Sequence, residues 1–219
     1  IELIKFGDDQ AKQLFITKES LNKGEIVRTG AESHLVLKHG PILQYILSIP
    51  MAFSQVPEVS VCFLSLLSLI TIYMVFRIGT DFFSSRIGLI AAALFATSHI
   101  SIALARSINN EPPSPLFASF FIYAIFKIVK AKSSFYSFIL PILFVVLILT
   151  HSSNLALIFF LLIFLYLYRD SIKLKYVLGG SFIALLIYLP YLIYVLKNLK
   201  LFRAAIWQLT YLPYPNQWI

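Results

Sequence analysis

Six runs of largely apolar residues, each 16 to 22 residues long, fill most of the chain between residues 58 and 197. A hydrocarbon core ~30 Å thick takes ~20 such residues in a helix, because in lipid every backbone N–H and C=O must be satisfied within its own segment. The runs are 58–76, 87–105, 114–130, 134–150, 153–168 and 176–197. They define the expected fold class: an all-α integral membrane protein, a multi-pass helical bundle of about six spans. With 59% hydrophobic and 13% charged residues, 20 Phe and a mean hydropathy of +0.83, composition excludes an ordinary soluble domain. Three regions follow. Residues 1–57 form an external loop with interfacial helices, 58–197 the bundle, and 198–219 a truncated external segment. The chain opens Ile-Glu-Leu-Ile without Met and stops at Gln-Trp-Ile, so a longer protein is expected, with a transmembrane helix ahead of residue 1.

The single cysteine, Cys62, lies inside an apolar run and reads as packing; it excludes an intramolecular disulfide and a thiolate metal cluster. The net charge of +8 sits in small groups between apolar runs, without the basic stripe and interleaved aromatics of a nucleic-acid surface, so no nucleic acid is expected as a partner. Short loops orient the bundle, since Lys and Arg favour the cytoplasm. Arg77, Arg86, Lys127, Lys130, Lys132, Arg169, Lys173 and Lys175 fall on one side, and Arg106 alone on the other, eight against one. Residues before 57 carry six more Lys or Arg and argue the reverse, but that segment is long and short loops weigh more. Residues 1–57, the loops 106–113 and 151–154 and the tail then share the non-cytoplasmic face of a cell membrane. Asp8, Asp9, His39, Arg106, Asn109, Asn110, Glu111, His151 and Asn154 gather there.

Within the first segment, Asp9 to Leu21 reads as a helix with an Asp cap and Ala11, Leu14, Phe15 and Leu21 at helical spacing, ended by Gly24. Residues 25–38 read as irregular. His39-Gly40-Pro41 then opens a strongly apolar helix, 41–50, with Pro at its first position, expected to lie along the membrane interface. No HxxxH or DxD spacing occurs, so neither a metal nor another cofactor is expected.

Five short stretches, in this order, carry a resemblance: Asp-Gln-Ala-Lys (9–12), His-Gly-Pro-Ile (39–42), Ala-Arg-Ser-Ile-Asn-Asn-Glu-Pro (105–112), Leu-Thr-His-Ser-Ser (149–153) and Tyr-Leu-Pro-Tyr-Leu-Ile-Tyr (188–194). Their order resembles polyprenyl-phosphate-dependent membrane glycosyltransferases of the GT-C fold group, which includes protein O-mannosyltransferases and the aminoarabinose transferase acting on lipid A. The resemblance implies a catalytic Asp in the first external loop, matched by Asp9, with Asp8 as the neighbour that could substitute. Relatives often read Asp-Gln-Ala-Arg-Asp; here Lys12 replaces Arg and Gln13 the second Asp. It also implies a polyprenyl-phosphate sugar donor, membrane lipids as surroundings and a lipid, glycan or protein acceptor.

The chemistry fits those residues. Attack on an anomeric carbon passes through an oxocarbenium-like state, and a carboxylate such as Asp9 can take the acceptor's proton. The phosphate leaving group needs cations and donors, for which Arg106 is best placed, with Lys12 and His151 as helpers. Asn110, Glu111 and His39 complete the expected substrate-binding set. Each has a plainer reading: Asp8 and Asp9 as a helix cap worth ~1 kcal/mol, Arg106 as a snorkelling anchor, residues 109–113 as a turn dictated by Pro112 and Pro113, and His39 as a cap. His151 beside Ser152, Ser153 and Asn154 forms a polar cluster that is costly at such a depth unless it serves a cavity. Gly179-Gly180 and Pro190 read as close helix packing and a kink. The rival from another class is a multi-pass transporter or flippase of a lipid-linked or anionic substrate, which should show repeats and broken or charged mid-membrane segments; a non-catalytic scaffold is a third reading.

Overall fold

A computed structural model describes residues 7–32 and 38–199. Among them the structure is helical apart from one antiparallel bridge, Glu32 to Lys38. Nine α-helices run α1 Asp8–Lys23, α2 Ile42–Met51, α3 Pro57–Phe82, α4 Ser85–Thr97, α5 His99–Ala105, α6 Ser114–Ala131, α7 Ser134–Thr150, α8 Leu157–Leu167 and α9 Leu174–Lys197 among the described residues. The expectations for residues 1–6, 33–37 and 200–219 lie outside the described residues.

Helix α1 starts one residue earlier than its sequence suggests. Gly7, not an aspartate, is the N-cap, its N–H donating to Gln10 Oε1 at 2.9 Å, while Asp8 and Asp9 occupy the first turn. Carboxylates there still face the positive end of the macrodipole. Gly24 ends the helix as expected, with φ of 64° and its N–H on Leu21 O; only a residue tolerant of the left-handed region closes a helix this way. Helix α2 follows Pro41, which is the N-cap rather than the first helical residue. Its Leu43 and Leu47 are fully buried and join Leu14 of α1, Val61 and Leu64 of α3, and Ile108 in one core. A second core joins α6, α7 and α8 through Phe121, Ala124, Ile128, Leu140, Leu147 and Phe164.

Two of the expected spans take a different form. The run 87–105 is broken at Ser98 into α4 and α5, which meet at 63°. Ser98 is extended (φ −62°, ψ 129°), and the Thr97 hydroxyl donates back to Ala93 O at 2.8 Å. Hydroxyls that bond their own backbone compete with the helix ladder, and a hydropathy average does not register that competition. The run 153–168 opens in a 3-10 turn, Ser152–Ala156, leaving α8 with 11 residues, ~16 Å of helix against ~30 Å of hydrocarbon. Helices α3, α6 and α9 are each long and apolar enough to cross a membrane, and the bent α4–α5 pair makes a fourth; α7, at 17 residues, is shorter. Helix α3 also runs past 76 to Phe82, so Arg77 stands on a helix rather than in a loop.

The outward faces are apolar. Leu66, Leu69, Leu89, Leu94, Phe159 and Phe182 are all more than half exposed; a fully exposed side chain of this kind costs ~1.5–3 kcal/mol in water, and these a part of that, a cost that lipid removes. Cys62 belongs to this outer surface rather than to the packing expected of it. Where helices touch, side chains are small. A Cβ on Gly79 would lie 2.3 Å from Gly88 Cα, so α3 and α4 meet backbone to backbone, and one on Gly180 would lie 1.9 Å from Phe138 O, where α9 crosses α7. The expected close packing at Gly180 is therefore present.

Gly180→Val should lower the thermal midpoint of the detergent-solubilised protein by forcing α9 off α7, at a cost of about 1–3 kcal/mol. Gly179→Ala, whose Cβ would meet Phe138 at an ordinary 3.5 Å, should leave the midpoint nearly unchanged in the same melt.

Candidate active site

Five separate segments converge at one end of the bundle. The first turn of α1 reaches the 106–113 loop through Gln10, whose Nε2 donates to Asn109 Oδ1 at 3.1 Å while its Oε1 accepts from Gly7. Both ends of one amide are thus used to fix where α1 begins. The break at Ser98 makes this possible: it turns α5 back toward α3, where Ser65 Oγ donates to Ala105 O at 2.7 Å, and the following Ile108 drops into the core beneath α1 and α2.

Residues 106–113 then form a turn, as the two prolines require, with Ser114 N–H on Glu111 O at 2.9 Å. Arg106 is half-buried as the residue after α5. Asn110 is buried, and its Oδ1 has no hydrogen-bond partner among the described residues. An orphaned buried acceptor is uncommon and marks a place where water or a ligand donor completes the network. Glu111 Oε1 lies 3.6 Å from His151 Nε2. On the other side of that ring, His151 Nδ1 lies 2.6 Å from Ser153 Oγ and 3.3 Å from Ser153 N, so the same serine holds one ring nitrogen while the other faces the carboxylate. Asn154 holds the turn after α7 in place, donating to Leu147 O at 2.8 Å and reaching Ser114 Oγ of α6 at 3.4 Å.

The segment before α2 closes the group. His39 and His151 rings lie 5.3 Å apart, tilted by 32°. Gly40 presses on the end of α7 so closely that a Cβ would fall 2.2 Å from Leu149 O. The strand-like pairing that presents this turn is local: Gly30 N–H donates to His39 O at 2.7 Å and His39 N–H to Ala31 O at 3.0 Å. From α9, the Tyr191 hydroxyl donates to Lys38 O at 2.8 Å. Burial pushes the Tyr45 phenol of α2 up, and its proton is held on Val27 O at 2.5 Å.

Of the expected site residues, Asn110, Glu111, His151 and His39 thus stand in one contiguous cluster, with Arg106 in the same loop. Asp9 is adjacent to Gln10 in sequence and two-thirds exposed, with Lys12 Nζ 3.9 Å from its Oδ1; Asp8 is exposed. An exposed pair of this kind contributes ~0–1 kcal/mol and mainly biases side-chain position. Gln10, Asn109 and Asn154 carry the architecture without having been singled out for it; the Gln three residues after a helix cap was the one readable signal. Gln13 is buried and accepts from Gln44 Nε2, joining α1 to α2. Among the described residues no three His, Cys, Asp or Glu side chains are grouped to hold a metal.

The fold and this cluster define a helical membrane protein with polar chemistry collected at one end of an apolar bundle. A family profile described as dolichyl-phosphate-mannose-protein mannosyltransferase matches residues 38–194. The chain belongs to that family of membrane glycosyltransferases. No curated protein and no solved structure matches it.

Replacing Gln44 by Leu should destabilise the protein by about 1–3 kcal/mol, because it strands the buried Gln13 amide. Gln13→Leu with Gln44→Leu together should recover most of that loss, a coupling read from the four melting curves of a double-mutant cycle.

Proposed function

We propose that this chain transfers mannose from a polyprenyl-phosphate carrier to a hydroxyl acceptor on the non-cytoplasmic face of a membrane, with Asp9 as general base. One observation carries the reading. Four of the stretches that resemble the GT-C group, far apart in sequence, touch in space, Gln10 on Asn109, Glu111 on His151, His39 on His151 and Gly40 on Leu149, and the fifth reaches the residue next to the second, Tyr191 on Lys38. The family match supplies the reaction class.

In the proposed step the acceptor oxygen attacks the anomeric carbon as the bond from that carbon to the phosphate oxygen breaks. The acceptor's proton passes to the Asp9 carboxylate, and the carrier leaves as a phosphate monoester. A single displacement inverts the anomeric centre. Charge builds on the departing phosphate, where Arg106 offers a planar, permanently charged fork, helped by Lys12 and His151. Asn110 Oδ1 and Glu111 are acceptors for sugar or acceptor hydroxyls. Asp9 stands open, so bound donor and acceptor must themselves exclude water around it. Short-loop charges support the sidedness, and several crossings by the long helices support a multi-pass chain.

The bent α4–α5 pair is the feature that a transporter would share. Family membership and the end-on placement of the polar cluster favour the transferase.

In proteoliposomes containing the full-length protein and labelled polyprenyl-phosphate mannose, Asp9→Asn should lower kcat by about 10²–10⁴-fold, the usual contribution of a positioned base. Asp8→Asn should retain most activity, and turnover by Asp9→Asn equal to wild type would remove Asp9 from the mechanism.

A further inference from the structure

The opposite end of the bundle carries a second charged group that the transfer reaction does not use. Lys127 lies 13 residues beyond Ser114 on α6, about 20 Å along the helix from the site described above. There Asp81 Oδ2 accepts from Arg77 Nη2 at 3.0 Å and from the Tyr123 hydroxyl at 2.7 Å, with Lys127 Nζ 3.6 Å away. Lys130 Nζ donates to Phe82 O at 2.9 Å and lies 5.2 Å from the Phe82 ring, over which Lys127 also sits at 5.5 Å. Two cations, Arg77 and Lys127, therefore share one carboxylate, all of whose observed contacts are on one oxygen, and a third, Lys130, sits beside them on Phe82. The group keeps an excess of positive charge that its own residues do not neutralise.

Directly beside it a cleft of about 570 Å³ opens between α3, α6 and α7. Arg77 forms part of its wall, and the rest is almost entirely aromatic or aliphatic, including Tyr73, Phe120, Tyr123, Phe135 and Ile139. Tyr73 and Phe135 are more than half exposed, so the cleft opens sideways on the apolar outer surface rather than into the bundle. A ligand that fits must present an anion to a cationic rim and an apolar chain to a lateral groove, and must arrive from within the bilayer.

We propose that this cleft binds an anionic glycerophospholipid, its headgroup phosphate on Arg77, Lys127 and Lys130 and one acyl chain along Phe120 and Ile139. Arg and Lys meet phosphate oxygens through charge-assisted hydrogen bonds, about twice as strong as neutral ones. Aromatic walls accept an acyl chain with little loss of side-chain freedom. The bound lipid would add to the contacts that already join α3 to α6 and α7 at this end, the Asp81 group and the Phe82 ring packed on Tyr123 and Phe126.

The test uses full-length protein in nanodiscs of phosphatidylcholine doped with phosphatidylglycerol, with the lipid retained on extraction measured by native mass spectrometry. Wild type should retain phosphatidylglycerol over phosphatidylcholine by about tenfold, the ratio that ~1.4 kcal/mol of preference gives. Arg77→Gln with Lys127→Gln should abolish the preference. Because that pair also strands Asp81, two further variants keep the cations: Ile139→Trp, which fills the cleft, should reduce retention of both lipids, and Asp81→Asn, which removes the competing anion, should raise the preference. Equal retention of the two lipids by wild type, an unchanged preference in the double variant, or stronger enrichment of added polyprenyl phosphate than of phosphatidylglycerol would each overturn the proposal.

Discussion

Hydrocarbon offers a polar group no partner, and nearly every feature of this chain follows from that constraint. Backbone amides are satisfied inside helices, leucine and phenylalanine face outward, and polar side chains are pushed to the ends. What distinguishes this chain is that its ends are unequal. One collects amides, imidazoles and acids from five segments; the other collects Arg77 and Lys127 around Asp81, with Lys130 beside them on Phe82. Chemistry on a lipid-borne sugar suits the first, because substrate and catalyst can meet at the boundary where the carrier's phosphate emerges.

Precision at that end depends on close backbone contacts. Gly40 against Leu149 O sets the turn that carries His39, and Gln10 divides its amide between Gly7 and Asn109 to set where α1 starts. Neither contact has much energy alone. Together with the buried Gln13–Gln44 pair they fix the N-terminal helix over the bundle, so that Asp9 is carried on a rigid element whose neighbour in sequence touches the 106–113 loop.

Much of the scaffold was legible in the sequence. Apolar runs located α6, α7 and α9 closely at both ends and α3 at its start but not its end at Phe82, Gly24 marked the end of α1, and Gly180 signalled close packing. The break at Ser98 was not legible, because Thr97 and Ser98 look small and tolerable to an average that ignores hydroxyl competition. The short α8 was hidden for the opposite reason, since apolar residues in the 3-10 turn counted as helix. Convergence of the site was readable only as a shared face; contacts such as Gln10 with Asn109 or His39 with His151 join segments about a hundred residues apart, and no local pattern encodes them. Arg77 and Lys127 were counted as loop charges although Arg77–Asp81 and Tyr123–Lys127 both have the four-residue spacing of neighbours on a helix.

The central claim is that residues from distant segments share one membrane face. Single cysteines placed by Gln10→Cys, Asn109→Cys, Ser153→Cys and Arg86→Cys in a Cys62→Ser background, exposed to a membrane-impermeant maleimide in sealed vesicles of known orientation, test it directly. The account predicts that the first three label from the non-cytoplasmic side and Arg86→Cys only from the cytoplasmic side. Labelling of Gln10→Cys and Asn109→Cys from opposite sides would contradict it.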